Sequence, residues 1–281
     1  MRITFQGELG AYSELAARAL FGEVELSPVE TFEDVFEAVV KGICDYGVVP
    51  IENSLTGSVH RNYDLLLEHP LWIVGEVKLR IVHHLIALPG VRLEDVKKAY
   101  SHPQALEQCR AFLREHDIDP VPVYDTAGAV RLLKEQKSKD AAAIASIQAA
   151  RDYEMEVLAS DIAEHRENFT RFLAVGREPA RDVHDPKTSI VFTLKNIPGA
   201  LFRALSVFAL RDIDLMKIES RPIRGKPWQY MFYLDFDGGM EEERCKRAVD
   251  HLREIATFLR VLGSYDKGKE VEGQLYLREA P

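Results

Sequence analysis

Three polar turns, each following a short apolar run, carry the residues best suited to chemistry. In Asn168-Phe169-Thr170-Arg171-Phe172-Leu173-Ala174-Val175-Gly176 a hydroxyl sits beside a cation at the start of an apolar strand. Pro50-Ile51-Glu52-Asn53-Ser54-Leu55-Thr56-Gly57-Ser58-Val59 offers a carboxylate, an amide and hydroxyls where a strand ends. Ser101-His102-Pro103-Gln104-Ala105-Leu106-Glu107-Gln108-Cys109 offers a hydroxyl and two amides, and Gln104 and Gln108 share one helical face by their i, i+4 spacing. Such groups can hold an anionic or hydroxylated small molecule. On a regular strand Thr170 shares a face with Phe172 and Arg171 points the other way, where it braces the strand or reaches a carboxylate from the rim. Each turn also has a plainer reading: a capped polar loop, a Pro-initiated helix with exposed glutamines, and a β-favouring Thr beside a solvent-facing Arg.

A fourth turn, Gly7-Glu8-Leu9-Gly10-Ala11-Tyr12-Ser13, opens a helix whose free N–H groups could receive a carboxylate. A capped strand-to-helix turn accounts for it equally well. His83-His84, and His102 with Cys109, lack partners at metal-ligand spacing and read as structural, so no metal is expected. Neither a Gly-x-Ser-x-Gly elbow nor a Walker loop is present.

These turns need a scaffold, and the first half of the chain supplies one by alternating apolar runs with helical patterns. Ile3-Thr4-Phe5, Val24-Glu25-Leu26 and Tyr46-Gly47-Val48-Val49 precede helices predicted over 10–21, 31–41 and 58–67. A β-like passage from Trp72 to Leu88 leads to a second alternation: Lys98-Ala99-Tyr100, a helix from Pro103, Val121 to Tyr124, a helix from Thr126, Ala141 to Ile144, and a helix after Ser146. The strand over 169–176 returns to the first lobe, so a cleft between two α/β lobes is expected. After the proline-punctuated linker 177–186, the pattern over 189–265 is βαββαβ, that of a ferredoxin-like sandwich.

The chain is 281 residues long with net charge −9, enough for two or three lobes and opposed to nucleic acid or an anionic membrane as partner. Its apolar runs fall well short of the ~20 residues of a membrane helix. Cys44, Cys109 and Cys245 are odd in number and widely spaced, and no signal segment precedes Arg2, so a cytoplasmic protein is expected.

The ordered turns, followed by Pro198-Gly199-Ala200-Leu201 and Glu219-Ser220-Arg221-Pro222, resemble the prephenate dehydratase family with a C-terminal ACT domain over essentially 2–265. The resemblance implies a two-lobed catalytic domain like type II periplasmic binding proteins at 1–180, with lobe 1 at about 1–76 and 161–180 and lobe 2 at about 77–160. An ACT domain at 188–266 and a less ordered tail at 267–281 complete it. It implies cofactor-free conversion of prephenate to phenylpyruvate, carbon dioxide and water in phenylalanine synthesis. Catalytic positions then fall on Thr170, Glu52, Asn53, Ser101 and Gln108, and substrate-binding positions on Ser13, Ser54, Thr56, Gln104, Arg171 and Phe172. Thr170 is expected to assist the departing hydroxyl, with Glu52 as the nearest titratable helper. L-Phenylalanine is expected as effector at Asn196, Pro198, Gly199, Ala200, Leu201, Glu219, Ser220 and Arg221, in a homodimer or homotetramer joined through ACT domains. Arogenate dehydratase and a non-catalytic two-lobed binding protein remain as alternatives, and a ferredoxin-like domain used only for dimerisation is the alternative for the small domain.

Overall fold

A computed structural model of the chain describes residues 1–223 and 225–273. They form two compact units, one of Met1–His69, Val77–Ala174 and the described residues from Lys269 on, the other of Pro70–Glu76 and Val175–Gly268.

The first unit is built on two sheets. In one, the strand order is Glu270–Glu272, Trp72–Arg80, Phe169–Gly176, Tyr46–Asn53, Arg2–Gln6, Glu25–Val29, with Gly57–Ser58 turned back on Tyr46–Asn53. Arg2–Gln6 runs parallel to both its neighbours. The helices Tyr12–Phe21 and Phe32–Val40 supply the connections, so the sequence periods of two and of about 3.6 are both realised. The other sheet has the order Glu156–Ala159, His84–Ala87, Ala141–Ala145, Lys98–Ser101, Asp119–Pro122. Every residue of Ala141–Ala145 is buried, as expected of a strand covered on both faces. One apolar core takes Ile3, Phe5 and Val48 from the first sheet and Ile86 and Ala143 from the second.

The second unit is a βαββαβ sandwich with antiparallel strand order Leu215–Pro222, Tyr230–Asp237, Pro186–Thr193, Phe258–Asp266. Ile190, Phe192, Leu234 and Phe236 form one face and pack under helices Ala200–Ala209 and Glu243–Ile255. The alternate residues Lys187, Ser189 and Asp235 are also buried, and Lys187 Nζ meets Glu76 Oε1 and Oε2 at 2.8 and 2.9 Å.

The passage from Trp72 to Leu88 leads from one sheet to the other, as Trp72–Arg80 and His84–Ala87. Two sequence expectations are corrected here. The strand expected at 121–124 is Asp119–Pro122, an edge strand and therefore tolerant of Pro120 and Pro122. The segment read as a less ordered tail contributes Glu270–Glu272, parallel to Trp72–Arg80, with ion pairs Lys78–Glu270 and Arg80–Glu272. Residues 274–281 of that segment lie outside the described residues.

Candidate active site

Strand ends and helix starts of the first unit surround a cavity of about 370 Å³. Tyr12 and Ser13 open the helix Tyr12–Phe21, Phe32 opens Phe32–Val40, and Thr126 with its capping Asp125 opens Thr126–Gln136; all of them line the cavity. Helix N-termini present backbone N–H groups and the positive end of the dipole. No lysine or arginine is among the described residues lining the cavity, so a bound anion would be met by neutral donors and helix ends. Part of the first helix start is already occupied, because Gly10 N donates to Glu14 Oε2 at 2.7 Å and Glu14 holds Arg18. Gly10 itself is required here: its φ is +85°, and a Cβ would stand 2.6 Å from Ala149 Cα.

The polarity of the site is fixed from the backbone outward. Asn53 Oδ1 accepts from the N–H groups of Leu55 and Thr56 at 3.0 and 3.1 Å, so its amide nitrogen must face the other way. There Nδ2 donates to Asn168 Oδ1 at 2.7 Å and to Thr170 Oγ1 at 3.0 Å. Asn168 Nδ2 in turn donates to Gln108 Oε1 at 3.0 Å. Thr170 Oγ1 is thus an acceptor toward Asn53. Its own proton has no acceptor among the described residues and is available to a ligand oxygen.

Of the residues the sequence singled out, Ser13, Asn53, Thr56, Gln104, Gln108, Thr170 and Phe172 line the cavity. Gln104 Nε2 donates to Thr56 Oγ1 at 2.9 Å, tying the helix Pro103–Gln108 to the turn after Tyr46–Asn53. Four do not join them. Glu52 and Arg171 occupy strand positions adjacent to Asn53 and Thr170, and alternation turns them from the cavity. Ser54 Oγ donates to Glu167 O at 3.1 Å and accepts from Phe169 N at 3.0 Å, clasping two chain segments. Ser101 is fully buried and donates to Ile144 O at 2.6 Å, a bond within its own sheet.

Tyr12, His83 and Asn168 are among the lining residues that sequence reasoning did not assign to the site, as are Gln6, His102, Asp125 and Thr126. His83, read as structural, has Nδ1 2.9 Å from Tyr12 Oη and Nε2 2.9 Å from Gln108 Oε1. Burial pulls its pKa down to about 4, so it is neutral near pH 7. The signal was available: an imidazole inside the apolar run Ile81-Val82-His83-His84-Leu85 must find partners or leave buried polar atoms unsatisfied. Cys109 is equally buried and its thiol is pushed up to about 12, which makes it a poor nucleophile. Among the described residues no group of three or more His, Cys, Asp and Glu could hold a metal ion.

In the second unit a cavity of about 240 Å³ is lined by Asn196, Gly199, Ala200 and Leu201, with Trp228 and Tyr230 opposite the loop. Gly199 caps the helix Ala200–Ala209 at φ +76°. Pro198, Glu219, Ser220 and Arg221 are outside the lining, the last three on the edge strand Leu215–Pro222.

Residues 3–180 match the family model of prephenate dehydratase, and residues 188–244 match that of the ACT domain. Arogenate dehydratase/prephenate dehydratase 2, chloroplastic, of Arabidopsis thaliana is 49% identical over 276 residues, covering 94% of this chain and 72% of that protein. A prephenate dehydratase from Arthrobacter aurescens, solved in complex with L-Phe, is 34% identical with a TM-score of 0.87 over 95% of this chain and 90% of that one. GqqA, described as a novel type of quorum-quenching acylase, is also 34% identical, with a TM-score of 0.88 over 94% of this chain and 97% of that one.

Proposed function

Since the chain belongs to the prephenate dehydratase family and carries an ACT domain, we propose that it converts prephenate to phenylpyruvate, carbon dioxide and water at the Thr170 cavity, under control of L-phenylalanine. The observation that carries this reading is Thr170: it accepts from Asn53 and keeps its proton for a ligand, beside helix starts suited to carboxylates. In the reaction the bond between ring carbon and carboxylate breaks, and its electron pair enters the ring. The carbon–oxygen bond at the ring hydroxyl breaks in turn, and the departing hydroxide takes up a proton to become water. Formation of the aromatic ring drives the process. The protein has then to hold the dianion, exclude water and stabilise the oxygen that leaves.

Thr170 donates to that oxygen. An alcohol is too weak an acid to complete the transfer alone, and Glu52, expected to help, is turned from the cavity. Ser13 and the Gln108 amide are placed to hold carboxylate or carbonyl oxygens. Glu52, Ser101, Ser54 and Arg171 support the site in this reading by bracing the strands and turns that carry Asn53 and Thr170.

Arogenate, with an ammonium in place of the side-chain carbonyl, is the second reading. It is favoured by the carboxylate of Asp125 in the lining and by the name of the plant relative. Acyl transfer is disfavoured, because none of the serine and threonine hydroxyls in the lining is hydrogen-bonded to a histidine or carboxylate among the described residues that would activate it.

L-Phenylalanine fits the 240 Å³ cavity of the ACT domain, where Asn196 and the helix start at Gly199 and Ala200 can take its charged groups. A homodimer or homotetramer is inferred from the exposed Met216 and Ile218 on the edge strand, beside Glu219, Ser220 and Arg221. No described helix is long and apolar enough to cross a membrane. The three cysteines are buried and free, which supports a reducing compartment such as the cytoplasm, although the plant relative is named chloroplastic.

One assay tests the reading: purified protein with prephenate or arogenate, with and without L-phenylalanine, following phenylpyruvate or phenylalanine as product. Turnover of prephenate with a higher kcat/KM than arogenate, lowered by L-phenylalanine, is expected. Preference for arogenate would transfer the assignment to the second reading, and turnover of neither would remove it.

A further inference from the structure

We propose that His83 is a positioning residue whose imidazole, protonated on Nε2, holds the Gln108 amide so that its NH2 group is presented to the substrate. The inference rests on the reading of this cavity as the dehydratase site. It starts from the one direction that the backbone imposes. Asn53 Oδ1 is committed to two backbone N–H groups, so Asn53 donates to Asn168, and Asn168 donates to Gln108 Oε1. If the Gln108 amide were reversed, its N–H would face an N–H of Asn168.

Gln108 Oε1 is therefore an acceptor, and the imidazole nitrogen 2.9 Å from it must be the donor. Neutral histidine carries one ring proton. It lies on Nε2, which leaves Nδ1 an acceptor; the single Tyr12 hydroxyl proton is then shared between Nδ1 at 2.9 Å and Val82 O at 2.7 Å. Burial keeps the ring neutral, which removes the doubly protonated alternative.

Two donors converge on Gln108 Oε1, whereas Gln108 Nε2 is buried and has no hydrogen-bond partner. A buried donor left open on a cavity-lining residue is stable only if something else completes it. The matching chemistry is an oxygen acceptor of the substrate, a carboxylate or a carbonyl. His83 touches no substrate in this scheme; it prevents the amide from turning its oxygen toward an anion.

The test uses three replacements in the full chain. His83→Gln restores an N–H near the position of Nε2, His83→Asn restores one only near Nδ1, and His83→Leu restores neither. His83→Leu and His83→Asn should raise KM about ten-fold or more with kcat changed by less than about three-fold, and His83→Gln should recover most of the loss. In a Gln108→Ala background His83→Leu should have almost no further effect, because its action passes through the missing amide. Multiplying losses in the double variant, or His83→Gln as damaged as His83→Leu, would overturn the assignment. Imidazole nitrogen NMR of the resting protein gives an independent reading: the Nε2–H form is expected, and the Nδ1–H form contradicts the proposal. A chain that turns over neither compound defeats the dehydratase reading, while the NMR pattern separately decides the polarity of the ring.

Discussion

Asn53, Asn168, Gln108 and His83 in the first unit are neutral groups bonded in series, and the series leaves one amide N–H2 and one hydroxyl proton unused. Lys187, Glu76 and Asp235 in the second unit are charged, buried, and enclosed by partners. Glu76 Oε1 also accepts from Gly268 N at 2.9 Å, and Ser189 Oγ bridges Asp235 Oδ1 at 2.5 Å and Tyr265 Oη at 2.6 Å. The charged cluster fastens the segment Pro70–Glu76 onto the sandwich, and its groups answer one another. The neutral series is complete except where a ligand would enter. Unused donors identify the working site better than charge does, because a closed ion-pair cluster has nothing left to offer a substrate.

The contrast predicts its largest effect in the closed cluster. Lys187→Met would leave Glu76 and Asp235 buried without their cation, and unfolding by denaturant should show a loss of about 3–5 kcal/mol. Replacing Glu76 as well, by Leu, should return part of that stability. A loss below ~1 kcal/mol in the single variant would mean that water reaches the cluster and that its closure is overstated.

Next in size is the open end of the neutral series. Thr170→Ala removes the donor to the departing oxygen and should lower kcat by ~10²–10³-fold, equivalent to about 2.7–4 kcal/mol, with little change in KM or in the unfolding midpoint. Near-normal turnover with weakened binding would make Thr170 a contact of the ground state only.

Acid should separate the two assemblies further. His83 has a folded-state pKa of about 4, below the ordinary 6.5, so between these values the unfolded chain binds more protons than the native one. The contribution is therefore fully present above pH ~6.5 and is lost as pH falls toward 4, amounting to ~3 kcal/mol for this buried ring. His84 and His102 are lowered by burial as well and act in the same direction. Stability measured from pH 7 to 4.5 should fall less steeply in His83→Gln than in the parent chain. Equal slopes would show that the ring is hydrated in the native state.

Much of this was legible in the residues themselves. Ile3-Thr4-Phe5, Tyr46 to Val49 and the even-numbered face of Phe169–Gly176 declared their strands by composition and alternation, and Thr170 and Phe172 do share the cavity as that alternation implied. Alternation also held the answer for Glu52 and Arg171. A motif read as a string of neighbours carries both faces of a strand along together, and only the fold sorts them. Ser101 and Ser54 illustrate the second limit: a hydroxyl in a turn satisfies a nearby backbone group as readily as it meets a ligand, and nothing local decides which. His83 was lost for a different reason, since its partners Tyr12 and Gln108 lie 71 and 25 residues away. The strand Glu270–Glu272 was missed because three residues give no periodicity to read.

The smallest effect concerns Gln104, and its size decides what the residue does. Its Nε2 donates to Thr56 Oγ1, and Thr56 Oγ1 donates onward to Asn53 Oδ1 at 3.1 Å, so Gln104 enters the neutral series from the side. A neutral hydrogen bond of this kind contributes about 0.5–1.5 kcal/mol net, whereas a bond to a desolvated charged group contributes about 1.5–3. If Gln104 acts as a clasp between helix and turn, Gln104→Ala should change kcat/KM by roughly two- to ten-fold, and Thr56→Val should produce a similar loss that does not multiply with it. If Gln104 instead turns its amide to a substrate carboxylate, the single change should exceed ten-fold and should multiply with Thr56→Val. The 2.9 Å distance to Thr56 favours the clasp, and kinetics of the two single variants and the double variant distinguish the cases without a structure of the complex.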